Sequence, residues 1–164
     1  MKQTGLFTKS CAYTRNNAYS VSVVSLRVVK EKTVSYLSQQ LCSPSAVVEL
    51  LNRALSLADW DREAFIVVPV DVKNKPLGIN VCHIGSLSEA VCHLREIFKF
   101  AILSNAHAIF IAHNHPSGEP APSQHDIKLT KRVQEAARLL DIPLIDHLII
   151  TQNGYFSFRE NNLL

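Results

Sequence analysis

Three side chains fall at spacings that suit a metal centre: His113 and His115, two apart, and Asp126 beyond a loop that contains Pro116, Gly118, Pro120 and Pro122. Residues two apart on an extended chain face the same side, so both imidazoles can aim at one point where the apolar run His107 to Ala112 ends. Ser123 opens the next helix as an N-cap, and Asp126 sits three residues later in its first turn, where the helix dipole also favours a carboxylate. A loop tight with proline and glycine can fold that turn back over the strand end, bringing three ligands together. Two neutral imidazoles and one carboxylate suit Zn²⁺, and three protein ligands leave a fourth position for water, as in catalytic zinc sites. Taken singly, each residue has a plainer reading. An isolated His-x-His is more often a chance pair on a surface loop, Asp126 alone a helix-capping acid, and Ser123 alone a cap that bonds backbone N–H groups. The joint pattern is what points to metal chemistry.

That pattern, His113-x-His115-Pro116, six residues, then Ser123-x-x-Asp126, resembles the zinc motif of JAMM/MPN-type metalloproteases without a gap. The text around it is similar to the RadC-like branch: Ile111-Ala112 ahead of HNHPSGEPAPSQHD, Arg95 to Lys99 before it, and Asp146-His147-Leu148-Ile149 after it. The likeness runs from about Ser43 to Phe158. It implies a JAB-like fold with a cytidine-deaminase-like layout, one zinc ion held by His113, His115 and Asp126, and Ser123 as the hydroxyl that helps stabilise an oxyanion. It further implies a peptidase or isopeptidase acting on a peptide or protein. Members also use a glutamate on an earlier strand as general base. Glu63, which opens the strand EAFIVVPV, fits that order of elements, although Asp59, Asp61 and Arg62 around it allow an ordinary charged strand start. Glu96 lies on the intervening helix and reads as a solvated or ion-paired residue. Asp146 and His147 occupy the position of an Asp-His pair in this branch, as supports of a ligand or as a structural hydrogen bond. His125 is a departure that offers a competing imidazole but points elsewhere on a regular helix, and Leu94 stands where the branch often has proline. His83, His93 and His107 read as packing or surface residues.

The elements that must position these groups are legible in the apolar pattern. Ser43-Pro44 supplies an N-cap and a proline at the first helical position, and Val47, Leu50, Leu51, Ala54 and Leu55 follow at helical spacing. Glu63 to Val72 and Leu77 to Ile84 read as neighbouring strands across the turn Lys73-Asn74-Lys75-Pro76. Ile97, Phe98, Ala101 and Ile102 make the stripe of a helix packed on a sheet. The run from His107 to Ala112 is a buried strand, and a helix runs from Ser123 to about Leu140. Ile142 to Ile150 and Tyr155 to Phe158 flank Asn153-Gly154, a hairpin dipeptide. Tyr19 to Val29 is rich in β-branched residues with partial alternation and suggests a further strand at an edge. The expectation is an α/β (α+β) domain over residues 41–164, one mixed sheet flanked by helices, preceded by an arm over residues 1–40.

Composition narrows the rest. Of 164 residues, nearly half are hydrophobic and 19% charged, as in a globular domain able to bury one core. A formal net charge of +3 falls short of a dedicated nucleic-acid surface, and the 40 residues ahead of the domain do not resemble the helix-hairpin-helix region of full-length RadC-like proteins. A DNA-repair or DNA-processing accessory is therefore the second reading, and a non-catalytic MPN scaffold, which typically loses its ligands, the third. Cys11, Cys42, Cys82 and Cys92 form no CxxC pair and read as free thiols. No apolar stretch approaches the length of a membrane span and no signal peptide stands out, so the expected location is the cytoplasm.

Overall fold

The computed structural model describes residues 20–36, 40–85 and 92–164. Its first helix, α1 (Pro44–Leu55), begins where the Ser43 side chain accepts the N–H of Ala46, and it buries Val47, Leu50, Leu51 and Ala54. A short 3₁₀ turn (Leu57–Asp59) leads to β1 (Ala64–Val70), whose seven residues are all buried, as a central strand requires. Then come β2 (Asn80–Ile84), α2 (Leu94–Leu103), β3 (Ala108–Asn114), α3 (Gln124–Leu140), β4 (Leu144–Thr151) and β5 (Gly154–Ser157). The β4–β5 turn needs a residue that tolerates positive φ, and Gly154 takes φ +146° there.

The five strands form one mixed sheet in the order β2-β1-β3-β4-β5. β1 is antiparallel to both β2 and β3, while β3 and β4 run parallel, with α3 as the crossover a parallel pair needs. One face is covered by α1: Val47, Leu50 and Leu51 pack with Ile66, Val68, Phe110, Ala112, Leu148 and Ile150. The other is covered by α2 and α3, with Ile97, Phe98, Leu129 and Val133 against Phe65, Val67, Ile109 and Ile111. A single mixed sheet flanked by three helices is the α+β layout anticipated from the sequence.

One expected element is absent. Residues 20–29 form no strand, and Val21, Val23, Val24, Leu26 and Val29 are exposed. The adjacent valines at 23–24 and at 28–29 put apolar side chains on both sides of an extended chain, so no single face could be buried against the sheet. β-propensity acts only once a neighbouring strand supplies hydrogen bonds. Tyr19 and the arm before it lie outside the described residues. Among those residues, no helix is long and apolar enough to cross a membrane.

Candidate metal centre

The parallel pairing of β3 with β4 buries His113 completely, opposite Phe65 of β1, whose ring stacks on the imidazole at 6.0 Å with 9° between planes. One step past the strand, His115 still donates its N–H to Ile150 of β4 and so keeps the direction of β3. The chain then turns, with Gly118 at φ +80° donating its N–H to the His115 carbonyl. The proline-rich loop returns to Ser123, the N-cap of α3, where a capping box closes: Ser123 Oγ accepts the Asp126 N–H, and Asp126 Oδ2 accepts the Ser123 N–H at 2.8 Å. The box points the other carboxylate oxygen inward and leaves Asp126 2% exposed.

The fold thus brings His113, His115 and Asp126 together as a group that could hold a metal ion. His113 Nε2 lies 3.0 Å from His115 Nε2 and 3.4 Å from Asp126 Oδ1, and His115 Nε2 lies 3.7 Å from Asp126 Oδ2. Tetrahedral zinc with bonds of about 2.0–2.1 Å places its donors roughly 3.3 Å apart, close to the 3.0 and 3.4 Å that separate His113 Nε2 from His115 Nε2 and Asp126 Oδ1. The donor chemistry fits as well. His115 Nδ1 sits 2.8 Å from the Glu119 carbonyl, which can only accept, so Nδ1 donates and Nε2 is the nitrogen turned inward. His113 is pushed down to about 4 by burial, opposed by the Asp126 charge and helped by His115 and His125, so it is neutral near pH 7.

The remaining predicted residues fall into place unevenly. The single hydrogen of the Ser123 hydroxyl points at Asp126 Oδ2, 2.6 Å away, so the cap reading and a tie to the ligand carboxylate hold together. Glu63 lies just before β1, two residues ahead of Phe65, and continuing the strand alternation puts it on the face that carries His113. Glu96, in contrast, sits on α2 in an ion pair with Lys99 at 2.6 Å. His125 does not join the three-residue group, and its Nε2 is buried without a hydrogen bond among the described residues. Asp146 is buried away from the centre, its two oxygens filled by the N–H groups of His147 and Arg159 and by the Ser157 hydroxyl. His147 is also fully buried, with Nε2 2.9 Å from His113 Nδ1, and burial holds its pKa well below the usual histidine range.

Two contributors escaped the sequence reading. Asn114 turns to the opposite face, where its Oδ1 accepts the Ala64 N–H and its Nδ2 donates to the carbonyls of Trp60 and Arg62, clamping the backbone on both sides of Glu63. Thr130 lies one turn after Asp126 and touches both the Asp126 carbonyl and His147. The four-residue spacing that puts Thr130 on the Asp126 side of α3 was its only sequence signal. Nothing local marks Asn114.

Comparison with known proteins agrees with the motif. Residues 41–163 match the family model described as the RadC-like JAB domain. A UPF0758 protein of Symbiobacterium thermophilum is 44% identical over 124 residues, 76% of this chain and 52% of that protein. A UPF0758 protein of Moorella thermoacetica is 49% identical over 104 residues, 63% of this chain and 45% of that one. A third, from Methanosarcina acetivorans, is 36% identical over 126 residues, 77% of this chain and 54% of its own length. The chain spans about half the length of the curated relatives it matches.

Proposed function

The chain belongs to the RadC-like JAB domain family, and from that premise we propose that it is a zinc-dependent hydrolase of amide bonds, of peptidase or isopeptidase type. The observation that carries the reading is the convergence of His113 Nε2, His115 Nε2 and the Asp126 carboxylate at spacings of 3.0–3.7 Å. Two nitrogen donors and one oxygen suit zinc and leave room for substrate and water. Bound there, zinc supplies a Lewis acid for the scissile carbonyl and a water that ionises near neutral pH.

The protein's own groups do the rest. Burial keeps His113 in its neutral form, and the Glu119 carbonyl holds the His115 hydrogen on Nδ1, so both rings turn Nε2 to the metal position. Glu63, steadied by the Asn114 clamp, accepts the proton of the attacking water at its carboxylate and passes it to the leaving nitrogen. Ser123 holds Asp126 in orientation. To reach an oxyanion, its hydroxyl hydrogen must swing away from Asp126 Oδ2, giving up one charge-assisted hydrogen bond for another.

Elemental analysis of purified wild type beside His115→Ala and Asp126→Ala tests the reading. The expected result is stoichiometric zinc in wild type and none in either variant, with cleavage of a fluorogenic peptide library abolished by a chelator and restored by Zn²⁺. Wild type without zinc, or zinc retained in both variants, overturns it.

A further inference from the structure

The hydrogen bonds behind His113 have only one consistent direction. Thr130 Oγ1 lies 2.6 Å from the Asp126 carbonyl oxygen and 2.6 Å from His147 Nδ1. A hydroxyl has a single hydrogen, and a carbonyl only accepts. The hydrogen therefore points to Asp126, since the opposite choice leaves two oxygens facing each other at 2.6 Å with no proton between them. Thr130 Oγ1 becomes the acceptor, and His147 Nδ1 carries the hydrogen. Among the described residues the ring nitrogens of His147 meet only Thr130 and His113, and the ring is fully buried, so it is neutral and its Nε2 is a lone pair. His113 Nδ1, 2.9 Å away, must then donate. A neutral His113 with its hydrogen on Nδ1 turns a bare Nε2 toward His115 and Asp126.

We propose that Thr130 and His147 are positioning residues that select the tautomer of His113: the chain from the Asp126 carbonyl through Thr130 and His147 makes Nδ1 the donor and reserves Nε2 for the metal. The proposal rests on the zinc reading above. The relay starts on one ligand residue and ends on another, so it ties the first turn of α3 to the ring at the end of β3. Packing fixes its middle member, because the His147 ring stacks on Phe158 at 4.6 Å with 14° between planes and leans on Phe65 at 5.7 Å. The pairing of β3 with β4 sets the two histidine rings on one face, with Ile111 opposite His147 and His113 opposite Ile149.

Thr130→Val keeps the shape of the side chain and removes the acceptor. His147 then gains by moving its hydrogen to Nε2, which donates to His113 Nδ1 and drives the His113 hydrogen onto Nε2, where it blocks the metal. Zinc affinity, read by competition with a chromophoric chelator, should weaken roughly 10–100-fold in Thr130→Val and His147→Phe and stay near wild type in Thr130→Ser. Nitrogen-15 NMR of the metal-free protein should find the His113 hydrogen on Nδ1 in wild type and on Nε2 in Thr130→Val, with melting curves run alongside to confirm folding. Wild-type zinc affinity in Thr130→Val, an unchanged His113 tautomer, or equal loss in Thr130→Ser would each overturn the relay. Wild type that takes up no zinc would sink the metal reading instead, while the tautomer measurement still decides the relay.

Discussion

Two buried carboxylates, Asp146 on β4 and Asp126 on α3, are satisfied in opposite ways. Asp146 is 1% exposed and meets donors on every side: two backbone N–H groups at Oδ1 and the Ser157 hydroxyl at Oδ2, 2.5 Å away. Asp126 is 2% exposed, yet among the described residues only Oδ2 is filled, by the Ser123 N–H and hydroxyl, while Oδ1 faces a histidine nitrogen at 3.4 Å. The first cluster is a closed account of donors and acceptors, as buried polar groups usually are. The second sets two imidazole nitrogens and one carboxylate close enough to share a cation. A balanced cluster braces the fold; an unbalanced one invites a ligand.

The sharpest way to break this contrast is to change each acid to its amide. Asp126→Asn removes the negative charge from the unbalanced cluster, and zinc affinity should fall more than about 100-fold, beyond the loss typical of residues that merely support a ligand. Chelator competition and peptide hydrolysis would both register the change, with the melting curve of the metal-free protein little altered. Retained zinc in Asp126→Asn would erase the distinction.

Next in size is Glu63→Gln, which should lower turnover by about 10²–10⁴-fold while leaving zinc stoichiometric. Full activity removes Glu63 from the base role; lost zinc would instead make it part of the metal cluster. Ser123→Ala lies between the two clusters in kind. It strips Oδ2 of one donor, and zinc should weaken roughly 10–100-fold. A fall in turnover well beyond the fall in affinity would assign the hydroxyl an oxyanion contact as well.

These groups were not equally legible. Local signals placed α1 through Ser43-Pro44, α3 through Ser123, and the last hairpin through Asn153-Gly154, because caps and turns are decided within a few residues. The three residues of the metal group were also local, since a strand end and a first helical turn fix their directions. Residues 20–29 misled because strand propensity carries no information about a partner edge. Thr130, His147 and Asn114 act across 17 to 54 residues of sequence, through contacts that exist only after β3 and β4 pair and α3 crosses over. The resemblance flagged His147, but its contact with His113 is tertiary.

Asp146→Asn should spare zinc binding and cost stability, about 2 kcal/mol for a disturbed buried charge-assisted network, or roughly 4–8 °C in melting temperature for a chain of this size. Lost zinc in this variant would mean that the balanced cluster also serves the metal. The smallest expected effect separates the two clusters by the sign of their pH dependence in the metal-free protein. Burial depresses His113 to about 4 and His147 well below its usual value, so the unfolded chain takes up their protons first as pH falls. The His113 contribution to stability is complete above about pH 6.5 and drains away toward pH 4, and the His147 contribution is lost in the same direction as pH falls. Asp146 is shifted upward by burial, so the folded state holds its proton more tightly and acid favours folding through this group. The two terms oppose each other, and Asp146→Asn deletes only the second. Its melting temperature should therefore drop more steeply between pH 6.5 and 4 than that of wild type. Parallel curves would mean that Asp146 keeps its charge throughout that range.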